Sequence, residues 1–226
     1  MTNDPILERI AHCVEFGKSD LKSPYPPDLK GQDGAQELTR AALDMGIDPG
    51  LILAAGLVKG MERIGAKFRA NQVFVPHVLM SAKAMTAAME HLKPLFLSGE
   101  VKRRGTFVIG TVAGDLHDIG KNIVAMMVEG GGWEVLNLGV DVRDEQFMEA
   151  VNRYPGCIIG LSALLTTTMV SMEKTTRAVK GINPTTRVLI GGAPVTKEFC
   201  ESIGADFYTP FPQDAVDYIN TLVPAQ

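Results

Sequence analysis

A single histidine stands between two aspartates in a glycine-rich loop. The loop reads Gly114-Asp115-Leu116-His117-Asp118-Ile119-Gly120. It matches neither the dinucleotide pattern GxGxxG nor the phosphate-binding pattern GxxxxGK(S/T), and one histidine with two carboxylates lacks the usual ligand set of zinc. A lone imidazole can instead be the axial ligand of a metal that a macrocycle already holds, with Asp115 orienting its other ring nitrogen. Taken alone, His117 also fits a helix cap or an ordinary polar loop residue.

Two more loops collect small and hydroxyl residues. One is Ser162-Ala163-Leu164-Leu165-Thr166-Thr167-Thr168, and the other contains Gly191-Gly192. Taken alone, each also fits an ordinary turn or a helix cap. All three loops follow apolar, β-rich runs, and open α/β sheets bind their ligands beyond the carboxyl ends of the strands. We therefore expect the three loops to meet at one ligand site.

The elements that must position these loops alternate between strands and helices. The predicted strands are Thr106–Val112, Glu134–Val140, Gly156–Ala163, Arg187–Ile190 and Ala205–Tyr208. Helical patterns follow them at about 120–131, 143–153, 167–181, 195–203 and 213–222. This alternation predicts a parallel sheet covered on both faces. Five strands in this length suit an α/β fold of the flavodoxin-like (Rossmann-like) type with strand order 2-1-3-4-5.

The first hundred residues show helical spacing only. The predicted helices are Pro5–Gly17, Ala35–Met45, a third from after Pro49 to about Phe68, and a fourth from Pro76 to about Phe96. Short connections between the later helices favour a small antiparallel four-helix bundle. Glycines in the third helix, such as Gly56 and Gly60, would permit the close approach of a neighbour. Residues 98–105 have linker composition, so we predict two domains, residues 1–98 and 99–226.

Charge and cysteine content argue against several classes of function. The net charge of −4 argues against nucleic acid as a partner, because phosphate binding needs clustered cations. The cysteines Cys13, Cys157 and Cys200 form no CxxC pair, so neither a zinc site nor a disulfide framework is indicated. No stretch reaches the ~18 apolar residues of a membrane span, and no leader pattern is visible. We expect a cytoplasmic protein with no membrane partner.

The three loops together resemble a known family. Asp115-x-His117-x-x-Gly120, then Ser162-x-Leu164, then Gly191-Gly192 is similar to the pattern of cobalamin-binding domains that displace the cofactor's lower benzimidazole. The run Gly114–Asn122 resembles the methyl-transferring branch, which includes methionine synthase and the corrinoid proteins of methanol, methylamine and O-demethylation systems. The run Gly160–Met169 looks closest to those corrinoid proteins. Residues 35–97 resemble the helical cap that precedes the cobalamin domain in this family.

The resemblance implies a role for each site residue. His117 would be the lower ligand of cobalt, and Asp115 and Thr168 would extend a hydrogen-bonded relay from its imidazole. The implied cofactor-binding residues are Gly114, Asp115, Leu116, His117, Asp118, Ile119, Gly120, Ser162, Leu164, Thr166, Gly191, Gly192 and Phe74. Among them, Ser162, Leu164, Thr166, Gly191 and Gly192 would line the slot for the nucleotide tail. Phe74 and the stripe from Val78 to Met85 would cover the upper face, where the methyl group sits.

The resemblance also implies a function and partners. The protein would bind cobalamin or a related corrinoid base-off/His-on and would carry a methyl group on cobalt, as methylcobalamin in the loaded state. A donor-specific methyltransferase would load it, a second methyltransferase would take the methyl group to an acceptor, and a reductive activating protein would restore the cobalt. The chain itself would be a carrier, with proton movement through His117, Asp115 and Thr168 coupled to ligation. A hinge near Ser98–Gly105 would let the cap expose the cobalt.

Two other classes of protein remain open at this point. A cobalamin-dependent sensor shares the cap and the loops but normally adds an output segment, for which we expect no room in 226 residues. An adenosylcobalamin mutase small subunit usually lacks the helical cap. The proline-rich segment Lys18–Gly34 is longer than the turn that is usual between the first two cap helices, which leaves its local structure open.

Overall fold

The chain forms two compact units. The computed structural model describes residues 4–98 and 103–223. The first unit ends at Arg103 and the second begins at Arg104, with residues 130–132 grouped with the first. The predicted boundary between residues 98 and 99 and the predicted hinge near Ser98–Gly105 both involve residues 99–102. Because those four lie outside the described residues, boundary and hinge stay predictions.

The described part of the first unit is helical. Its helices are α1 (Pro5–Glu15), α2 (Ala35–Asp44), α3 (Pro49–Leu51), a π-helical stretch (Ile52–Val58), α4 (Lys59–Arg69) and α5 (Val75–Ser98), with a 3-10 turn at Pro27–Leu29. Helix α1 begins where the Asp4 carboxylate accepts a hydrogen bond from the Ile6 N–H, with Pro5 in the first turn. Among residues 4–98 and 103–223, no helix combines the length and the apolar composition that a bilayer span would need.

The third predicted helix differs from the structure in its middle. Residues 49–69 form one helical run, but seven of them, Ile52–Val58, are π-helical. Apolar spacing does not separate the two helix types over so short a stretch, because their periods diverge by less than one residue per turn. The predicted close approach at the glycines is confirmed: a Cβ at Gly60 would lie 2.6 Å from the Ala11 carbonyl oxygen, and one at Gly56 would lie 3.0 Å from Ile10 Cγ2.

The proline-rich segment 18–34 is anchored at its start. The Lys18 side chain is fully buried, and its ammonium donates to the Ser23 carbonyl oxygen at 2.9 Å. The Glu37 carboxylate accepts hydrogen bonds from the Leu21 and Gly34 N–H groups, both at 3.0 Å. The segment is thus tied to the start of helix α2, although its residues form only a 3-10 turn.

The second unit is an α/β sheet domain, and the predicted order of its strands is confirmed. All neighbouring strands are parallel, in the order β2-β1-β3-β4-β5. The strands are β1 (Thr106–Val112), β2 (Glu134–Val142), β3 (Ile158–Ser162), β4 (Val188–Gly191) and β5 (Phe207–Tyr208). The helices are α6 (Ile119–Gly130), α7 (Asp144–Arg153), α8 (Met169–Ile182), α9 (Lys197–Ile203) and α10 (Pro212–Thr221), with a 3-10 turn at Thr166–Thr168.

Only β1 keeps both of its predicted ends, because β4 is shifted by one residue, β5 begins two residues later than predicted, and β3 and β2 also differ. Strand β3 is shorter than the apolar run 156–163, because Gly156 has a positive φ and Ala163 already belongs to the following loop. Strand β2 continues to Val142, two residues beyond its predicted end, and its register with β1 shifts on the way. The shifts place extra residues of β2 beside the histidine loop.

Candidate functional site

A cavity of about 650 Å³ lies against one face of the sheet in the second unit. Its walls come from the inward residues of the central strands, from helices α6 and α10, and from the loops after β1, β3 and β4. Gly160 and Gly191 line it without side chains of their own, and the Phe107 ring and the Thr209 side chain lie directly over them. Small-molecule sites commonly occupy ~300–1,000 Å³, so this cavity has the size of a ligand pocket.

Nine predicted ligand residues line this cavity. They are Leu116, His117, Asp118, Ile119, Gly120, Ser162, Leu164, Gly191 and Gly192. Their meeting follows from the parallel sheet, which brings the carboxyl ends of β1, β3 and β4 to one edge. Gly192 is needed for the close approach of two of these loops, because its φ is +130° and a Cβ there would lie 1.8 Å from the Ala163 carbonyl oxygen.

Asp115 is the centre of the polar contacts beneath the histidine loop. Its side chain is fully buried. One carboxylate oxygen accepts hydrogen bonds from the His117 backbone N–H at 3.1 Å and pairs with His117 Nδ1 at 2.7 Å. The other accepts from the Leu164 N–H at 2.7 Å, the Leu165 N–H at 3.3 Å and the Thr168 hydroxyl at 2.8 Å. This carboxylate therefore joins the loop after β1 to the loop after β3.

The environment of Asp115 keeps it ionised. Burial by itself raises the pKa of a carboxyl, but the hydrogen bonds from Leu164, His117 and Thr168 outweigh it and hold the pKa of Asp115 far below its ordinary value. An ionised carboxylate can only accept hydrogen bonds. His117 Nδ1 must then carry a proton, so in the neutral imidazole Nε2 is the nitrogen that keeps its lone pair.

The His117 ring is oriented with this lone pair unused. The side chain is about half exposed, and Nε2 has no hydrogen-bond partner within residues 4–98 and 103–223. The same residues contain no group of three or more histidine, cysteine, aspartate or glutamate side chains that could hold a metal ion. The arrangement offers one nitrogen ligand, fixed in direction, at the wall of a cavity.

Thr168 is placed where the relay was predicted. Its hydroxyl lies 2.8 Å from an Asp115 carboxylate oxygen and 2.8 Å from the Leu165 carbonyl oxygen. The hydroxyl has one proton, so at any moment it donates to only one of the two. Thr168 therefore contacts Asp115 directly and reaches His117 only through that carboxylate.

Three predicted cofactor residues lie away from the cavity walls, in addition to Asp115. Thr166 is exposed in the 3-10 turn after β3 and is not among the residues that line the cavity, so its place in the tail slot stays a prediction. Gly114 lies in the turn after β1 with φ +85°, where its N–H is bonded to Asp141. Phe74 belongs to the helical unit, where its side chain is 68% exposed. In the predicted stripe, Val78, Ala82 and Met85 are buried, and helix α5 packs on α1, α2 and α4.

Several residues of the site were not predicted. Three of them, Phe107, Ile109 and Leu189, line the cavity. They could have been found from the sequence, because they alternate along their strands with residues that face the opposite side of the sheet. Thr111 and Asp141 hold the histidine loop by hydrogen bonds. Asp141 lies beyond the predicted end of β2, so no sequence signal placed it near His117.

Comparison with known proteins gives a consistent result. The sequence matches the family described as "B12 binding domain" over residues 105–213, and a second family of the same description over residues 32–93. It is 40% identical to trimethylamine corrinoid protein 1 of Methanosarcina acetivorans over 193 residues, which cover 84% of this chain and 89% of that protein.

Two solved structures resemble the chain along most of its length. A cobalamin-binding protein from Desulfitobacterium hafniense superposes with a TM-score of 0.75 at 30% identity, covering 96% of this chain and 98% of the other. The methanol:cobalamin methyltransferase complex from Methanosarcina barkeri matches with a TM-score of 0.80 at 28% identity, over 97% of this chain and 80% of the matched chain. The chain therefore belongs to the corrinoid proteins, the family that its three loops resemble, whose cofactor is cobalamin or a related corrinoid.

Proposed function

We propose that this protein carries a methyl group on a corrinoid between two methyltransferases, with His117 as the lower ligand of cobalt. The observation that carries the proposal is the His117 imidazole, whose Nδ1 is held by Asp115 at 2.7 Å while Nε2 stays available beside a cavity of about 650 Å³. The cofactor would be bound base-off/His-on, with its displaced nucleotide tail in that cavity.

The residues present fit such a cofactor. A single nitrogen ligand suits a metal that brings its own equatorial ligands, as cobalt does in a corrin ring. The cavity has room for a nucleotide-sized group, and a Cβ at Gly120 would meet nothing within 4 Å, so the backbone there is open to a close contact. Leu116, Ile119 and Leu164 are exposed around His117, and they offer an apolar rim to the underside of a flat ring.

The chain's own residues would bind the cofactor, orient the His117 ring and tune the strength of His117 as a ligand. When bound, the corrinoid supplies a cobalt centre that accepts a methyl group from a donor and releases it to a nucleophile. Asp115 holds the His117 proton on Nδ1, which keeps Nε2 a ligand and raises its basicity. Thr168 donates to the same carboxylate, so a change in its hydrogen bonding would alter how strongly Asp115 polarises the ring.

The relatives support a carrier role and a methyltransferase partner. One relative is named a trimethylamine corrinoid protein, and one matched structure is that of a methanol:cobalamin methyltransferase complex. By this likeness we infer a donor-specific methyltransferase as a partner. An acceptor methyltransferase and a reductive activating protein complete the proposal. The methyl donor, whether methanol, a methylamine, a betaine or an aryl methyl ether, is left open.

The ligand assignment can be tested without any partner. The protein is produced with ¹⁵N-labelled histidine, reconstituted with unlabelled cobalamin and reduced to cobalt(II), whose electron paramagnetic resonance lines are split by the axial nitrogen. A triplet from ¹⁴N should become a doublet from ¹⁵N, and His117→Ala should lose the histidine-derived splitting. A triplet that persists in the labelled wild-type protein would mean that the axial nitrogen comes from the cofactor.

The carrier role needs a transfer experiment. The reduced holoprotein is incubated with ¹⁴C-labelled methanol or trimethylamine, with and without a methyltransferase specific for each donor. Label should become bound to the corrinoid only when the matching methyltransferase is present. Loading at an equal rate in its absence would show that the chain itself activates the donor, which contradicts a carrier.

A further inference from the structure

The histidine loop is held by two residues that lie outside the three-loop pattern. Thr111, near the end of β1, is fully buried. Its hydroxyl donates to the His117 backbone carbonyl oxygen at 2.8 Å. The His117 N–H is bonded to Asp115, so both polar backbone groups of His117 have a side-chain partner, and Thr111 provides one of them from the strand below.

The second contact comes from the irregular end of β2. Asp141 has a positive φ of 53°, a conformation that costs energy for a residue with a side chain. Its carboxylate accepts from the Gly114 N–H at 2.7 Å, and its own N–H donates to the Asp115 carbonyl oxygen at 3.0 Å. Asp141 thus forms hydrogen bonds to the backbone on both sides of the Gly114–Asp115 peptide bond.

The register of β2 explains how Asp141 reaches the loop. Opposite Ile109 and Gly110, β2 pairs through Asn137 and Gly139, and opposite Val112 it pairs through Val142. Strand β2 therefore has extra residues over this stretch, and Asp141 is displaced from the regular ladder. Such bulges commonly redirect a residue beside a functional site, and here the redirected residue contacts the turn that carries Asp115.

We propose that Thr111 and Asp141 are positioning residues that set the place of His117 relative to the cobalt. The proposal rests on the proposed role of His117. The Asp115 carboxylate fixes the rotation of the imidazole and ties the loop to the one after β3, but it does not tie the loop to strands β1 and β2. Thr111 ties the His117 carbonyl oxygen to β1, and Asp141 ties Gly114 and Asp115 to β2. A ligand needs such support because small displacements weaken a metal bond.

Paired substitutions separate positioning from folding. Thr111→Val removes the hydroxyl at nearly the same volume, and Thr111→Ser keeps it. Asp141→Gly removes the carboxylate while tolerating a positive φ, and Asp141→Asn keeps a side-chain oxygen facing the Gly114 N–H. The Kd for cobalamin, the histidine-derived splitting of the cobalt(II) form, and the thermal unfolding midpoint of the cofactor-free protein are measured for each variant.

Loss of a supporting partner of a metal ligand typically costs about 10- to 100-fold in metal affinity. We expect Thr111→Val and Asp141→Gly to raise the Kd for cobalamin at least about tenfold and to lower the fraction of cobalt(II) with histidine bound. Thr111→Ser and Asp141→Asn should restore most of both quantities. The unfolding midpoint should change less within each pair than the Kd does.

The outcomes distinguish this proposal from the function it rests on. If wild-type protein shows the histidine splitting while Thr111→Val and Asp141→Gly retain both it and the wild-type Kd, positioning by these residues is overturned and the role of His117 stands. Equal losses in both members of a pair would also overturn it, because the hydrogen bond would then not be the cause. If the wild-type protein lacks the splitting, the ligand assignment fails, and with it the positioning role.

Discussion

The two faces of the sheet are built from the same strands, yet one is filled and the other is hollow. On the filled face, side chains of β1, β3 and β4 form one buried cluster with helices α7, α8 and α9, which includes Val108, Phe147 and Ile159. On the other face, Phe107 and Leu189 line a cavity of about 650 Å³ between helices α6 and α10. The strands are apolar toward both sides, so hydrophobicity does not explain the difference.

Residue size accounts for part of it. Within β3, Ile159 belongs to the filled core alone, Gly160 and Ser162 line the cavity alone, and Leu161 contacts both. Strand β4 repeats the pattern, with Val188 in the core alone, Gly191 at the cavity alone and Ile190 in contact with both. A parallel strand that is buried on both faces can therefore contribute to a ligand pocket by placing small residues, such as Gly160 and Gly191, at single positions that face it.

The largest expected effect on stability comes from removing a large side chain from the filled face. Ile159 is fully buried in the core, and Leu189 is nearly as buried but borders the cavity. We expect Ile159→Ala to lower the free energy of unfolding by about 2–5 kcal/mol. Leu189→Ala should cost less, because the space that it leaves adjoins a cavity that is already present. Urea denaturation of the cofactor-free protein measures both, and equal losses would contradict the comparison.

A smaller effect is expected when a methyl group is added to each face. A Cβ at Gly110 would lie 2.7 Å from Phe147 Cζ, and one at Gly160 would lie 2.5 Å from Phe107 Cζ. The Phe147 ring is enclosed, so Gly110→Ala should cost about 1–3 kcal/mol of stability. The Phe107 ring can shift into the cavity, so Gly160→Ala should cost less stability but should weaken cobalamin binding.

Cobinamide, which lacks the nucleotide tail, is the control ligand for this pair. Its Kd should be nearly the same for Gly160→Ala and wild type, since only the tail would occupy the space that the Phe107 ring enters. An equal rise in the Kd for both ligands would argue against the tail lying in this cavity.

The smallest expected effect concerns a cluster of charged residues around Asp206, next to the edge strand β5. Asp206 is not among the residues that line the cavity. Asp206 accepts hydrogen bonds from Lys180 Nζ at 2.6 Å, from the Arg187 guanidinium at 2.8 Å and from the Val188 N–H at 2.8 Å. Burial raises the pKa of this carboxyl, but these donors outweigh it and lower the pKa below the ordinary value. Because the folded pKa lies below the unfolded one, the stabilisation is present above the unfolded pKa of ~3.9 and is lost as the pH falls through the folded pKa.

Asp206→Asn tests this cluster. It should lower the free energy of unfolding at pH 7 by about 0.5–1.5 kcal/mol and flatten the loss of stability between about pH 5 and pH 3. Urea denaturation across this pH range measures the change. The Kd for cobalamin at pH 7 should stay at the wild-type value, and a marked rise in it would show that the sheet edge is coupled to the hollow face.

Much of the fold could be predicted because it depends on local pattern. The alternation of apolar strands and helices predicted the strand order, and the bounds of β1 agree with the prediction, since Thr106–Val112 is a continuous apolar run between a glycine-rich turn and a linker. The third helix was predicted in extent but not in type, because the spacing of apolar residues cannot register a π-helical stretch. The end of β2 was missed, because a bulge is decided by pairing with β1.

The sequence by itself determined which residues reach the carboxyl edge of the sheet, since each loop directly follows a strand whose direction is common to all. Only the tertiary structure decided which of them touch. Asp115 meets the Leu164 N–H across 49 residues of sequence, and Asp141 meets Gly114 across 27. Such contacts depend on the register between strands and on the direction of single N–H and C=O groups, and these are set when the strands pair.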